Sequence, residues 1–236
     1  MRRFHSAVTK KTFRRASMKD FETLLQESVK AHGHLCPGQV IGVRMAMLGC
    51  RLIGLDDPSS PSQIKKLLVY VEVDRCAADA VAHVTGVKLG RRSLKFMDYG
   101  IMAATFVNLD SGRAFRVLST EEARDLSAVY APEIDGKSAQ QLVAYRRMPD
   151  EVLFRVQEVV VPLREWDLPG PTQRKVVCVR CGQVVRDGKE MTGPQGPLCV
   201  PCATGGYFQL VRQISVAAAL QEVEGLSCSR FRTNTG

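Results

Sequence analysis

The sequence predicts an α+β fold, with a mixed or antiparallel sheet packed by helices and a small separate module near the C-terminus. Two observations carry that expectation. Helix-period and strand-period segments number about five each and do not alternate strictly as βαβ. Four of the eight cysteines fall into two closely spaced pairs after a proline-bearing linker.

Phe21, Leu24, Leu25, Ser28 and Val29 recur at helical spacing, which predicts a helix over 18–31 that Gly33 stops. The stretch His32-Gly33-His34-Leu35-Cys36-Pro37-Gly38 reads as a turn, and Pro37 suits the first turn of a second helix over 39–53. Small residues on that helix (Gly42, Ala46, Gly49) imply close packing of another element or of a second copy of the chain. A polar loop over 56–62 precedes an apolar β run over 67–73, which leads straight into an alanine-rich helix from Asp74 to the stop at Gly86.

Strands are expected over 94–99, 103–108 and 114–118, the last two joined by a turn at Asp110-Ser111-Gly112. Ser119 with Glu122 fits a capping box for a helix to about Val129. A helix over 138–147 and a strand over 153–161 complete the core, and 209–223 reads as a late helix. The domains expected are a basic extension 1–17, a core 18–163, a linker 164–175 and a cysteine module 176–236.

The net charge of +9 belongs mostly to one end. Residues 1–19 hold seven basic side chains and no acid, leaving +2 for residues 20–236. Such a segment reads as a solvated extension, with an RNA, DNA or membrane-surface contact or a transit-like leader as alternatives. No apolar run approaches the roughly 20 residues of a bilayer span. Paired CxxC cysteines with no secretory leader point to a reducing, cytoplasmic setting and to metal rather than disulfides.

Cys178-Val-Arg-Cys181-Gly and Cys199-Val-Pro-Cys202 are separated by 17 residues. Each CxxC turn aims two thiolates at one point, and two turns complete a tetrahedron, so Cys178, Cys181, Cys199 and Cys202 are expected to bind a structural zinc in a ribbon or treble-clef-like module. Val184-Val185 and the Asp187-Gly188 turn suit a small hairpin between the pairs. Arg174, Lys175, Arg180, Arg186 and Lys189 make the module somewhat basic, but aromatic residues for base stacking are few. A nucleic-acid-binding or regulatory zinc-ribbon protein is therefore the alternative function.

His32, His34 and Cys36 alternate within five residues in a chain with four histidines. A helix start beside Cys36 favours its thiolate. Cys76 sits at a strand-to-helix junction, with Asp79 one turn on and His83 a further turn along, on one expected face. The bland reading is a plain turn and a buried cysteine; the sharper one is a shared site, with a thiol redox pair as a further alternative.

His34-Leu35-Cys36-Pro37-Gly38 followed by Gly42-Val43-Arg44 resembles the opening motif of the FmdE family, named for its association with formylmethanofuran dehydrogenase. Cys76-Ala-Ala-Asp79-Ala80, Thr85-Gly86, Gly90 and Asp98-Tyr99-Gly100 are similar to its second block, and Ala103–Phe106, Ser111-Gly112 and Arg116-Val117 continue the match. The resemblance covers roughly residues 18–202. It implies a dimeric α+β core with a metal-binding cleft in which His34, Cys36 and Cys76 are ligands. His32 and Asp79 are neighbours there and, with Cys36, candidates for acid-base or catalytic work. It also implies service to a molybdenum or tungsten formylmethanofuran dehydrogenase or a related anaerobic one-carbon or redox enzyme. Two departures stand out: Val87 where the family often has cysteine, and Ile101 where it often has lysine.

Overall fold

The computed structural model describes residues 17–229, which divide into two compact units at the 171/172 boundary. The extension expected over 1–17 lies outside the described residues except for Ser17.

In the first unit, α1 (Phe21–His32) begins at Asp20, whose carboxylate accepts the Thr23 backbone N–H at 3.0 Å. It ends at Gly33, whose φ of 100° places the C-cap in the left-handed region that glycine enters freely. Leu24, Leu25 and Ser28 face inward. α2 (Pro37–Leu52) has proline at its start and buries ten of its sixteen residues. β1 (Leu67–Val71) is buried almost throughout and feeds α3 (Cys76–Thr85), which Gly86 closes at a φ of 73°. β2 (Leu94–Phe96), β3 (Ala103–Asn108) and β4 (Ala114–Ser119) follow, then α4 (Glu122–Asp125), α5 (Ser127–Tyr130), α6 (Lys137–Arg147), α7 (Asp150–Leu153) and β5 (Phe154–Glu158).

The five strands form one mixed sheet in the order β2-β1-β3-β4-β5. β2 runs parallel to β1 across the α3 crossover, and the other neighbours are antiparallel. The α+β expectation holds, and the main core lies between one sheet face and the helices.

Two glycines set how closely α2 packs. A Cβ on Gly49 would lie 2.2 Å from the Phe106 ring of β3, and one on Gly42 would lie 2.5 Å from the Ala77 carbonyl oxygen of α3. The small residues of α2 thus serve contacts within the chain. Arg44 ties the same helix to the end of α6: its guanidinium donates to the carbonyls of Tyr145 (2.7 Å) and Met148 (2.6 Å) and to Asp150. Those carbonyls are among the groups a helix end leaves without an intrahelical partner.

The opposite sheet face carries a smaller cluster of Leu68, Val107 and Ala114. On this face Arg116 grips Glu72, only 6% exposed, with two parallel bonds of 2.8 and 2.7 Å that satisfy both carboxylate oxygens.

Several boundaries differ from expectation for local reasons. The helix expected after Ser119 divides into α4 and α5; the N-cap of α4 is Glu121, and the Thr120 hydroxyl just before it accepts the Ala123 N–H at 3.3 Å. Ser119 is held in β4 opposite Phe154, while Glu122 pairs with Arg155 at 2.7 Å. The second and fifth strands are shorter than expected because pairing ends at Phe96 and Glu158.

The second unit contains two hairpins, β6 (Lys175–Val177) with β7 (Val184–Arg186) and β8 (Met191–Gly193) with β9 (Gly196–Leu198), then α8 (Val200–Thr204) and α9 (Val216–Ser229). The first hairpin turns through the Cys178–Gly182 knuckle rather than at Asp187-Gly188, which instead leads out of β7. α9 starts seven residues later than expected, where the Ser215 hydroxyl accepts the Ala218 N–H at 3.3 Å. No described helix is long and apolar enough to cross a membrane.

Candidate metal centres

Cys178, Cys181, Cys199 and Cys202 bring their four sulfurs within 4.8 Å of one another. The first pair is shaped by a backbone turn: the Gly182 N–H donates to the Cys178 carbonyl at 2.9 Å, with Gly182 at a φ of 71°. The second pair sits at the start of α8, with Cys199 as its N-cap. Cys178, Cys199 and Leu198 are the buried heart of this unit, with Val185 and Cys202 packed on them. So small an apolar cluster stabilises little, and a metal ion held there would supply much of the remaining folding energy.

The thiols are already polarised by their surroundings. The Cys199 backbone amide, assisted by those of Cys181 and Arg180 against the cost of burial, holds Cys178 down to about 6. The Cys199 side chain, and then burial, push Cys202 up to about 12. Four thiols this close cannot all ionise against one another unless a cation balances them, and four soft sulfurs match a tetrahedral S₄ ion such as zinc.

The second cluster is assembled from three helix ends. His32 is the last residue of α1, Cys36 is the N-cap of α2, and Cys76 opens α3. His34 lies in the loop between α1 and α2. One ligand atom from each of these four residues lies within 4.8 Å of the others. The His32 and His34 rings are 4.6 Å apart, tilted by 39°.

Glycine makes this convergence possible. A Cβ on Gly38 would meet the Cys76 Cβ at 3.0 Å, so proline and glycine after Cys36 bring two helix starts together. Cys76 then sits at the positive end of the α3 dipole, which favours anionic sulfur. Burial acts the other way, and together with the neighbouring Cys36 thiol and the Asp79 carboxylate it raises the Cys76 thiol above its ordinary value. A divalent cation beside both sulfurs would remove that conflict.

Asp79, one turn along α3, lies 2.9 Å from His32 Nδ1. His83 is exposed and outside the cluster, because two helical turns carry it roughly 10 Å along the axis. Val87 is buried among core residues and Ile101 is 39% exposed, its N–H donating to the Glu72 carbonyl.

Sequence reading missed Gln39. Its buried amide donates to the Cys76 carbonyl at 2.7 Å and accepts the Ser28 hydroxyl at 2.6 Å, linking the three helices beneath the cluster. The available signal was a pair of polar residues, Ser28 and Gln39, on helix faces otherwise apolar.

The FmdE family model, described as molybdenum formylmethanofuran dehydrogenase operon, matches residues 31–158. That span contains the His/Cys cluster and stops short of the four-cysteine unit. An Archaeoglobus fulgidus protein described as a probable S-adenosyl-L-methionine-binding protein is 27% identical over 207 residues. The match takes in 80% of this chain and 54% of the relative, so the chain spans about half the length of the curated relative. The crystal structure of a tungsten formylmethanofuran dehydrogenase FmdE-like protein from Syntrophus aciditrophicus aligns with a TM-score of 0.51 at 19% identity. The alignment covers 83% of this chain and 100% of that one, a likeness of fold.

Proposed function

The chain belongs to the FmdE family, and from that premise we propose that it is a metal-binding accessory protein of a molybdenum or tungsten formylmethanofuran dehydrogenase or a related anaerobic one-carbon or redox enzyme. The observation that carries this reading is the convergence of His32, His34, Cys36 and Cys76 donor atoms within 4.8 Å at three helix ends. His34, Cys36 and Cys76 hold a transition metal there. Cys178, Cys181, Cys199 and Cys202 hold a separate structural zinc.

Imidazole and thiolate together suit zinc or another borderline-soft ion better than magnesium or calcium. Such an ion, when bound, supplies Lewis-acid polarisation to whatever occupies a free position. The chain's own residues supply the rest. Gln39 fixes the Cys76 backbone, Gly38 lets the two sulfurs approach, and Asp79 engages His32. The reactivity of the core centre therefore turns on its fourth position.

The protein acts in the cytoplasm as a homodimer. That association is supported by the family resemblance and by exposed Phe96, Tyr99 and Ile101 at and after the edge strand β2. The test is co-elution of the full chain with a purified formylmethanofuran dehydrogenase at low micromolar concentration, run beside a Cys36→Ser/Cys76→Ser variant. Wild-type co-elution that the variant loses supports the reading. Failure of the metal-loaded wild type to co-elute with the enzyme removes the accessory role.

A further inference from the structure

We infer that His32 is the fourth protein ligand of the core centre and that Asp79 is the positioning residue that turns it there, giving a closed site of two imidazoles and two thiolates. The inference rests on the reading of this cluster as a metal centre and decides what fills its fourth position.

A carboxylate without its proton only accepts hydrogen bonds. The 2.9 Å contact from His32 Nδ1 to Asp79 Oδ2 therefore places the imidazole hydrogen on Nδ1. In the neutral ring the other nitrogen, Nε2, then carries a bare lone pair. That atom is buried and makes no hydrogen bond, to either neighbouring sulfur included. A buried polar atom left without a partner is costly, so its presence on a residue of this donor cluster calls for a function.

The remaining role for His32 is as a proton carrier for a cysteine. It would need an Nε2–H donating to sulfur, and no such bond is made. A bare, buried lone pair on a histidine grouped with Cys36, Cys76 and His34 is what ligation requires, and a carboxylate on the far nitrogen is the usual device for fixing a ligating histidine's tautomer. The positions of the two groups fit these roles. The His32 side chain is 13% exposed, inside the cluster, and Asp79 is 70% exposed, on its rim.

α3 thus supplies both a ligand, Cys76, and, one turn on, the group that orients a ligand from α1. Two thiolates also balance a divalent ion, and a tetrahedron completed by protein leaves no position for water. The core centre then differs from a hydrolytic zinc site, which keeps one position open.

The full chain, stripped of metal and refilled with Co²⁺, tests this. Subtracting the absorption of the Cys36→Ser chain removes the four-cysteine contribution. The expected core spectrum has sulfur-to-cobalt charge transfer and the intense visible bands of tetrahedral cobalt. Asp79→Ala should weaken Co²⁺ affinity at this centre about 10–100-fold. Asp79→Asn, whose amide oxygen accepts the same N–H, should recover most of the loss, which a merely structural role for Asp79 would not predict. His32→Ala should shift the bands to the weak intensity of five- or six-coordinate cobalt. A wild-type core spectrum that is already five- or six-coordinate overturns the inference. So does a pair of variants, His32→Ala and Asp79→Ala, that match wild type in spectrum and affinity. Identical cobalt content in the wild-type and Cys36→Ser chains overturns the core centre itself, a separate and distinguishable result.

Discussion

The two clusters reach similar donor geometry by opposite routes. In the four-cysteine unit each pair of ligands is made locally, by a turn of four residues, and the apolar support is little more than Leu198 and Val185. In the core cluster the ligands come from three helix ends, and the surrounding fold places them. Asp79 reaches His32 across 47 residues of chain, and Gln39 reaches Cys76 across 37. The first site should need its metal to fold. The second should exist in outline before any metal arrives. The contrast separates a metal that makes structure from a structure that makes a metal site.

The largest effect expected from breaking that contrast is at the four-cysteine unit. Cys178→Ser, or chelation of its ion, removes folding energy that in small zinc modules is about 10–16 kcal/mol. Limited proteolysis should then cut within residues 176–202 while the metal bound by the core cluster stays. If this segment remains protease-resistant without metal, the unit folds by other means.

Gly42→Ala strikes the other site from a distance. The added methyl would lie 2.5 Å from the Ala77 carbonyl oxygen, so α2 and α3 must separate. Overpacking of this kind should cost about 2 kcal/mol in urea unfolding of the core. Because it also parts Cys36 from Cys76, metal affinity at the core cluster should fall while the four-cysteine site is unchanged. Equal losses at both sites would erase the distinction drawn between them.

The smallest effect is at the start of α1, the helix that delivers His32. The Thr23 backbone N–H, then its hydroxyl, hold the Asp20 carboxyl below its ordinary value of 3.8. A carboxyl depressed in the folded state contributes stability that is fully present above the ordinary value and lost as pH falls through the lower folded one. Asp20→Ala should therefore be less stable than wild type at about pH 5, and the gap should close as the pH falls below the ordinary value and through the lower folded one. A gap independent of pH would mean that the cap is not the source.

The same contrast explains what was legible in the sequence. CxxC spacing is local information, so the four-cysteine ligand set can be read without a fold. Helix stops at Gly33 and Gly86, and the strands β1, β3 and β4, were likewise written in short patterns of glycine and β-branched or aromatic residues. The core cluster was legible in part: HGHLCPG and Cys76 stood out, but spacing alone put Asp79 and His83 on one helix face. Only the arrival of α1 shows which of them has a histidine to meet. Gln39 was hidden because a polar residue at a helix start reads as solvent-facing until a neighbouring helix covers it. Ser119 failed as a cap because pairing with β5 claimed its backbone first.

The central claim is that this chain carries two independent metal centres. Elemental analysis of the purified full chain beside the Cys36→Ser and Cys178→Ser variants tests it most directly. Two metal ions per wild-type chain are expected, with one remaining in each variant and that one differing between them. A single ion in wild type, kept by Cys36→Ser and lost by Cys178→Ser, would contradict it.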